Sequence, residues 1–138
     1  MNKLSLIFFF IVSSIISQNN TEIYLFDITK TTDGYELNHK INISNNKGYD
    51  SQPHFYDNNT LLFASSREGQ TDIVKYTIDT GEKKFINYTK NGSEYSPQRI
   101  PNSKEISAVR LDNSGLQRLY KYNINSGISE EIIPDLKV

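Results

Sequence analysis

Residues 48–89 read GYDSQPHFYDNNTLLFASSREGQTDIVKYTIDTGEKKFINYT, and their punctuation marks out four short strands. Gln52 to Tyr56 is an extended run in which Pro53 places a strand start or an edge. Asp57-Asn58-Asn59 turns the chain, since Asn and Asp bond their own backbone and tolerate left-handed geometry. Thr60 to Ser65 (TLLFAS) is nearly continuous apolar sequence of strand length, the pattern of a strand buried on both faces. Arg67 to Gln70 turns the chain again, with Gly69 free to take positive φ. Asp72 to Ile78 (DIVKYTI) is the third strand, and Asp79-Thr80-Gly81 is a hairpin turn signal. Lys83 to Tyr88 closes the unit with charges that suit a solvated edge.

The pattern recurs. Tyr95-Ser96-Pro97-Gln98 aligns with Ser51-Gln52-Pro53-His54, and Ile106 to Val109 aligns with Leu62 to Ser65. Leu119 to Ile124 aligns with Ile73 to Ile78, and Asn125-Ser126-Gly127 with Asp79-Thr80-Gly81. The prolines are 44 apart and the turn glycines 46, which predicts a middle hairpin two residues longer at Leu111 to Gly115. Half a copy precedes: Glu22 to Ile28 matches Asp72 to Ile78, and Asn42-Ile43-Ser44 matches Asn87-Tyr88-Thr89. The hairpin between, Thr29 to Asn38, is five residues longer on this alignment. Four antiparallel strands in about 40–45 residues, repeated, are the mark of a propeller blade. The expected fold is all-β, a β-propeller of four-stranded antiparallel blades that is incomplete in this chain. Its parts are a leader at 1–17, a half blade of two outer strands at 18–47, a full blade at 48–92, and a second full blade with a tail at 93–138.

The order x-Q-P-x-F, turn, apolar strand, S-x-R-x-G, D-I-x-x-Y, D-x-G resembles the TolB-type, WD-like propeller repeat of bacterial envelope proteins. Gln52, Pro53, Phe55, Ser65, Arg67, Gly69, Asp72, Ile73, Tyr76 and Gly81 carry the resemblance. It covers roughly residues 20–132 and is weaker in the later copy, which lacks a counterpart to Asp72 and matches Arg67 only imperfectly with Arg110. It implies a binding or scaffold module more often than an enzyme. The same repeat also precedes serine-peptidase domains in prolyl-oligopeptidase-like proteins.

Residues 1–17 read as a signal peptide. Lys3 supplies the positive start, Leu4 to Val12 the apolar run, and Ser13, Ser14 and Ser17 the small residues near a cleavage point at Ser17/Gln18. The run is shorter than the roughly 20 apolar residues of a membrane span. The chain contains no cysteine, which excludes a disulfide and a lipid-bearing N-terminal cysteine. The expected location is therefore the periplasm or the exterior of a bacterium, without lipid attachment and without stable membrane insertion after cleavage. Removing the leader removes one charge, Lys3, and takes the net charge from −1 to −2. A near-neutral chain without a basic stripe does not attract nucleic acid.

Chemistry is hard to find. His39 lies in a hairpin arm and His54 alternates with Pro53 and Phe55, both expected to be structural. There is no cysteine nucleophile, Gly-x-Ser-x-Gly elbow, HExxH or phosphate-cradling glycine loop. Asp50, Asp57, Asp72, Asp79 and Asp112 fall near turns without the D-x-D-x-D-G spacing of a calcium loop, so backbone bonding is the expectation. Arg67 and Asp72 flank one hairpin and are expected to pair. No cofactor and no metal are expected. Binding is better supported, because blade linkers and middle hairpins emerge on one propeller face and exposed loops on a rigid scaffold carry function. Asp50, Gln52, Arg67, Glu94, Tyr95, Arg110 and Gln117 are the candidate protein-contact residues.

The functional expectation is thus an exported, non-catalytic interaction or scaffold module with protein partners, envelope proteins among them. The alternative is the propeller part of a longer envelope protein or of a peptidase whose catalytic domain follows Val138. About two and a half blades leave flat apolar faces open, and propellers typically close with four to eight. A longer reading frame, self-assembly through the open blade faces, and a decayed gene product each account for that. The first is preferred because no C-terminal capping element is visible. An antibody against residues 48–89 is then expected to detect a denatured band far above a mature chain of about 120 residues. A band at the small size sets the truncation aside.

Overall fold

The structure, a computed structural model, describes residues 20–132. The leader at 1–17 and the tail at 133–138 lie outside those residues. The described chain is strand and turn, with no helix. Its strands are β1 (Tyr24–Lys30), β2 (Tyr35–Asn42), β3 (Asp50–Asp57), β4 (Thr60–Arg67), β5 (Gln70–Thr77), β6 (Glu82–Phe85), β7 (Gly92–Arg99), β8 (Glu105–Asp112), β9 (Gln117–Asn123) and β10 (Ser129–Glu131). They form a two-stranded ribbon β1-β2 and two four-stranded antiparallel meanders, β3-β4-β5-β6 and β7-β8-β9-β10.

The apolar run in β4 is buried on both faces because its sheet lies between two others. Successive side chains of a strand point to opposite faces. Leu62, Ala64 and Ile73 therefore join Ile106, Ala108 and Tyr122 of the last sheet in one core. Leu61, Phe63, Val74 and Tyr76 join Ile23 and Ile43 beside the ribbon in a second core. The outer strand β6 (EKKF) is short and carries its lysines into solvent, which blunts the sheet edge.

The two extra residues of the second meander are divided between two hairpins, and the alignment expected from the prolines is corrected. Ser51 faces Ala64 and Tyr95 faces Val109, so β3 and β7 are 44 apart while β4 and β8 are 45 apart. Leu61 faces Tyr76 and Ile106 faces Tyr122, so β5 and β9 are 46 apart. Ile106 thus occupies the place of Leu61 and not that of Leu62. A slip of one residue exchanges the faces of a strand, so Ile106 and Ala108 point toward the middle sheet and fill its core. The added residue in the first hairpin lies in the Ile100-to-Lys104 turn, where Asn102 takes φ 59 and Ser103 N–H donates to the Ile100 carbonyl at 3.2 Å.

Both inner strands carry the same irregularity. Gln52 (φ 57) and Ser96 (φ 53) sit 44 apart, just before Pro53 and Pro97, where each register shifts. The bulge takes the proline nitrogens out of the ladder, which is how a strand accommodates proline.

The ribbon also departs from expectation. Ile23 N–H donates to Ser44 Oγ at 2.9 Å as Ile73 N–H donates to Asn87 Oδ1 at 3.0 Å. Ile43 N–H donates to the Ile23 carbonyl as Ile86 N–H does to that of Ile73. Ser44 therefore matches Asn87, 43 residues on, where the sequence alignment matches it to Thr89. The excess is a longer paired ribbon, closing at Lys30 opposite Tyr35, with a bulge near His39 (φ 49).

Gly127 and Gly81 make the equivalent outer turns at φ 70 and φ 69. A Cβ at Gly127 would collide with the Ile86 carbonyl oxygen, whereas one at Gly81 meets only the Tyr76 hydroxyl at 3.9 Å. Gly127→Ala is expected to cost about 2 kcal/mol or more and Gly81→Ala about 1 kcal/mol, since only the first adds a backbone clash to left-handed strain. Urea midpoints of the two variants check the difference.

Candidate interaction face

Linkers and middle hairpins meet at one end of the meanders. Gln70 Nε2, beside the β4-β5 turn, donates to the Lys90 carbonyl at 2.7 Å and the Gly92 carbonyl at 3.2 Å. Thr71 N–H donates to Ser93 Oγ at 3.1 Å. At the preceding junction Gly48 N–H donates to Asn20 Oδ1 at 2.8 Å, and Asp50 N–H to Thr21 Oγ1 at 3.0 Å. These bonds hold the loops against the sheets they join.

Beneath them each junction holds two carboxyl groups in equivalent places, of which Asp50, Asp72 and Glu94 are buried and Glu22 is partly exposed. Glu22 and Asp72 stand at the start of a third strand, Asp50 and Glu94 at the start of the next sheet's first strand. At the second junction Asp72 accepts from Asn87 Nδ2 (3.0 Å), Thr89 N–H (3.0 Å), and Arg67 through Nη2 (2.7 Å) and Nε (3.2 Å). Glu94 Oε1 accepts from Thr89 Oγ1 at 2.5 Å and the Tyr122 hydroxyl at 3.1 Å. Arg110 Nε lies 3.7 Å from Glu94 and 3.4 Å from Asp112, within ion-pair distance but not aligned for a hydrogen bond. At the first junction Ser65 Oγ donates to Asp50 Oδ1 and Ser44 Oγ to Glu22 Oε2, both at 2.5 Å.

Burial disfavours a charged carboxylate. It raises the Glu94 and Asp50 carboxyls above their usual range, against the hydroxyl donors that partly offset it. The Tyr122 hydroxyl is pushed far up by its own burial and by Glu94. Glu22 moves the other way, held below the usual range chiefly by the Ser44 hydroxyl.

The hairpin ion pair expected between Arg67 and Asp72 is present, and the last sheet carries it with the signs reversed. By the strand offsets, Asp112 occupies the place of Arg67 and Arg118 that of Asp72, and the two pair at 3.1 Å. Arg110 is correspondingly the counterpart of Ser65, each addressing the acid of its own inner strand.

The candidate contact residues therefore separate. Asp50 (2% exposed) and Glu94 (0%) are interior groups, a correction to their place on an exposed face. Their carboxyls cap the seams from below because hydroxyl donors of β4, β9 and the linkers are directed at them. Arg67 and Arg110 are partly buried in ion pairs and lie over the rings of Tyr88 (4.6 Å) and Tyr120 (5.0 Å). Tyr95 is half-buried, its ring edge-on to Tyr49 at 6.4 Å. Gln52 and Gln117 are exposed, and Gln52 Oε1 accepts from Ser96 N–H at 2.8 Å, joining the two inner strands. Sequence reasoning passed over Tyr88, which is exposed in the linker after β6 and covered on one side by Arg67. An aromatic out of register with the burial alternation was the available signal.

His39 lies on the exposed ribbon with Nδ1 2.8 Å from Asp27 Oδ2, remote from the junctions, and His54 is half-buried in β3 opposite Leu62. Asp57 accepts from Asn59 N–H at 2.9 Å, the turn bonding its sequence suggests.

Glu94 generates a pH expectation. Its folded carboxyl holds a proton more tightly than the unfolded one, whose usual value is 4.5. Its contribution to stability is then fullest below that value and is lost as pH rises through the raised folded one. Glu94→Gln, which keeps an acceptor for Thr89 and Tyr122, is expected to show a smaller fall in Tm from pH 4.5 upward than the parent chain. Thermal melts across that range check it.

Comparison with known proteins places this geometry. No family model matches the chain, and no curated protein matches it. Among solved structures it is similar to a protein assigned as TolB from Agrobacterium tumefaciens, with a TM-score of 0.56 and 15% identity. The match covers 85% of this chain and 50% of that one, so the chain spans about half the length of the structure it resembles. The repeat read from the sequence, the two meanders and this likeness agree: the chain has a TolB-like propeller-type fold, built as two complete four-stranded sheets and a two-stranded ribbon.

Proposed function

We propose that the chain is an exported, non-catalytic interaction module that presents loops at one end of its TolB-like blades to a protein partner. The observation that carries this reading is the hydrogen-bonded attachment of the linkers to the hairpins, led by Gln70 on the Lys90 and Gly92 carbonyls. Loops fixed in this way lose little freedom on binding, and that favours recognition by shape. Gln52, Tyr88 and Gln117 supply exposed polar and aromatic contacts there. Export rests on Lys3 and the apolar run that follows it, and the bacterial envelope address rests on the repeat itself. Among the described residues no helix is long and apolar enough to cross a membrane.

The test is chemical crosslinking of the tagged, exported chain in its own host, followed by identification of the partner and titration of that partner in purified form. The triple variant Gln52→Ala, Tyr88→Ala, Gln117→Ala is expected to weaken binding at least tenfold, about 1.4 kcal/mol, with Tm little changed. Undiminished binding by a folded triple variant overturns the loop-face reading. Turnover of a peptide substrate by the purified chain overturns the non-catalytic one.

A further inference from the structure

Two seams join the three sheets, and they are filled differently. By the strand offsets Tyr120 stands in the place of Val74, Arg110 in that of Ser65 and Ala108 in that of Phe63. At the second seam the Arg110 guanidinium lies over the Tyr120 ring at 5.0 Å, and Tyr120 packs against the core. At the first seam the smaller Val74 and Ser65 hold those places, and the larger Phe63 makes up only part of the difference. A cavity of about 140 Å³ is left between β4, β5, β6 and the linker at residues 44–46.

The residues around the cavity set its chemistry. Phe63, Val74 and Phe85 make an apolar floor, and Phe63 and Val74 are buried by the sheets already described. Phe85 lies across from Val74 and Lys83 across from Tyr76, so Phe85 and Lys83 share the face that carries the cavity. The polar lining comes from the linker, Ser65 and the β6 lysines. Lys83 Nζ donates to the Ser44 carbonyl at 2.5 Å. An ammonium has two further N–H groups and a carbonyl a second lone pair. A donor and an acceptor therefore stand side by side at the rim, the combination a hydroxyl uses. A carboxylate is poorly matched there, because Glu22 accepts from the Ser44 hydroxyl and the buried Asp50 from that of Ser65. Size points the same way: a cavity of about 150 Å³ with aliphatic and aromatic walls admits one benzene ring.

We propose that the first seam binds a small single-ring phenol. The ring lies between Phe63, Val74 and Phe85, in the place that the Tyr120 ring takes at the second seam. Its hydroxyl accepts from Lys83 Nζ and donates to the Ser44 carbonyl. A ligand held in this way touches both β6 and the linker after β2, so its occupancy fastens the ribbon to the middle sheet. The site does not depend on the loop-face reading.

The probe is phenol itself, titrated by calorimetry and by ligand-observed saturation-transfer NMR into the purified exported chain, with toluene and benzoate run beside it. Phenol is expected to bind saturably with a Kd of about 1 mM or tighter. Toluene and benzoate are expected to bind more weakly by about fivefold or more, the loss of one ordinary hydrogen bond. Val74→Tyr, which copies Tyr120 into the first seam, is expected to abolish phenol binding in a folded chain. Should that variant fail to fold, Lys83→Met on the exposed outer strand is expected to weaken phenol by about fivefold and to leave toluene unchanged. Absence of saturable phenol binding overturns the proposal. Phenol binding that survives Val74→Tyr in a folded chain overturns it too, as does toluene or benzoate bound as tightly as phenol, or a folded Lys83→Met chain with undiminished affinity for phenol.

Discussion

A sheet with apolar side chains on both faces has to be covered twice, and β4 and β5 impose that requirement on everything around them. Leu62, Ala64 and Ile73 point one way and Leu61, Phe63 and Val74 the other. One face is covered by Ile106, Ala108 and Tyr122, the other by Ile23 and Ile43. Face-to-face stacking of similar sheets meets the constraint in both directions at once, because each sheet offers its neighbour the same kind of surface. Among the described residues, the outward face of the ribbon holds the exposed side chains of Tyr24, Phe26 and Ile28.

Stacking alone would let the sheets slide. The polar groups at the loop end prevent this by being directional. Asp72 ties together the β4-β5 hairpin through Arg67 and the linker through Asn87 and Thr89. Glu94 ties the linker to β9 through Thr89 and Tyr122. A buried carboxyl is costly unless its oxygens are met; the partners of Asp72 and of Glu94 Oε1 come from different elements, so meeting those oxygens fixes the elements relative to one another, while Glu94 Oε2 and Asp50 Oδ2 have no hydrogen-bond partner among the described residues. The last sheet reaches the same end with Asp112 and Arg118 exchanged in sign. An ion pair is indifferent to which strand carries which charge.

The loop face follows from these two conditions. Of the groups that appear from their place in linkers and hairpins to be contacts, Asp50 and Glu94 are interior fastenings and Arg67, Tyr95 and Arg110 are partly buried, while Gln52 and Gln117 are exposed, as is Tyr88. A turn acid can cap a backbone amide, bind a partner or brace a seam. Sequence position cannot separate these roles, because the choice depends on which side chains arrive from other strands. For Asp50 and Glu94 those are Ser65 and Tyr122, 15 and 28 residues away.

The all-β class, the four-strand unit, the repeat and the burial of β4 on both faces were legible in the chain, since they rest on local periodicity and on turn residues whose backbone preferences are intrinsic. The place of each extra residue was not. Proline and glycine landmarks bracket an insertion but do not say which hairpin absorbs it, and a shift of one residue decides whether Ile106 stands for Leu61 or Leu62. Packing made that decision, because only one register turns Ile106 and Ala108 toward the middle core. The half copy shows the same division: its kinship to β5 and β6 was plain from Glu22 to Ile28, while the match of Ser44 to Asn87 depended on a hydrogen bond to Ile23. Local chemistry wrote the strands and turns. The pairing of buried acids and the register of β8 were settled by contacts between residues far apart in the chain, which no local pattern encodes.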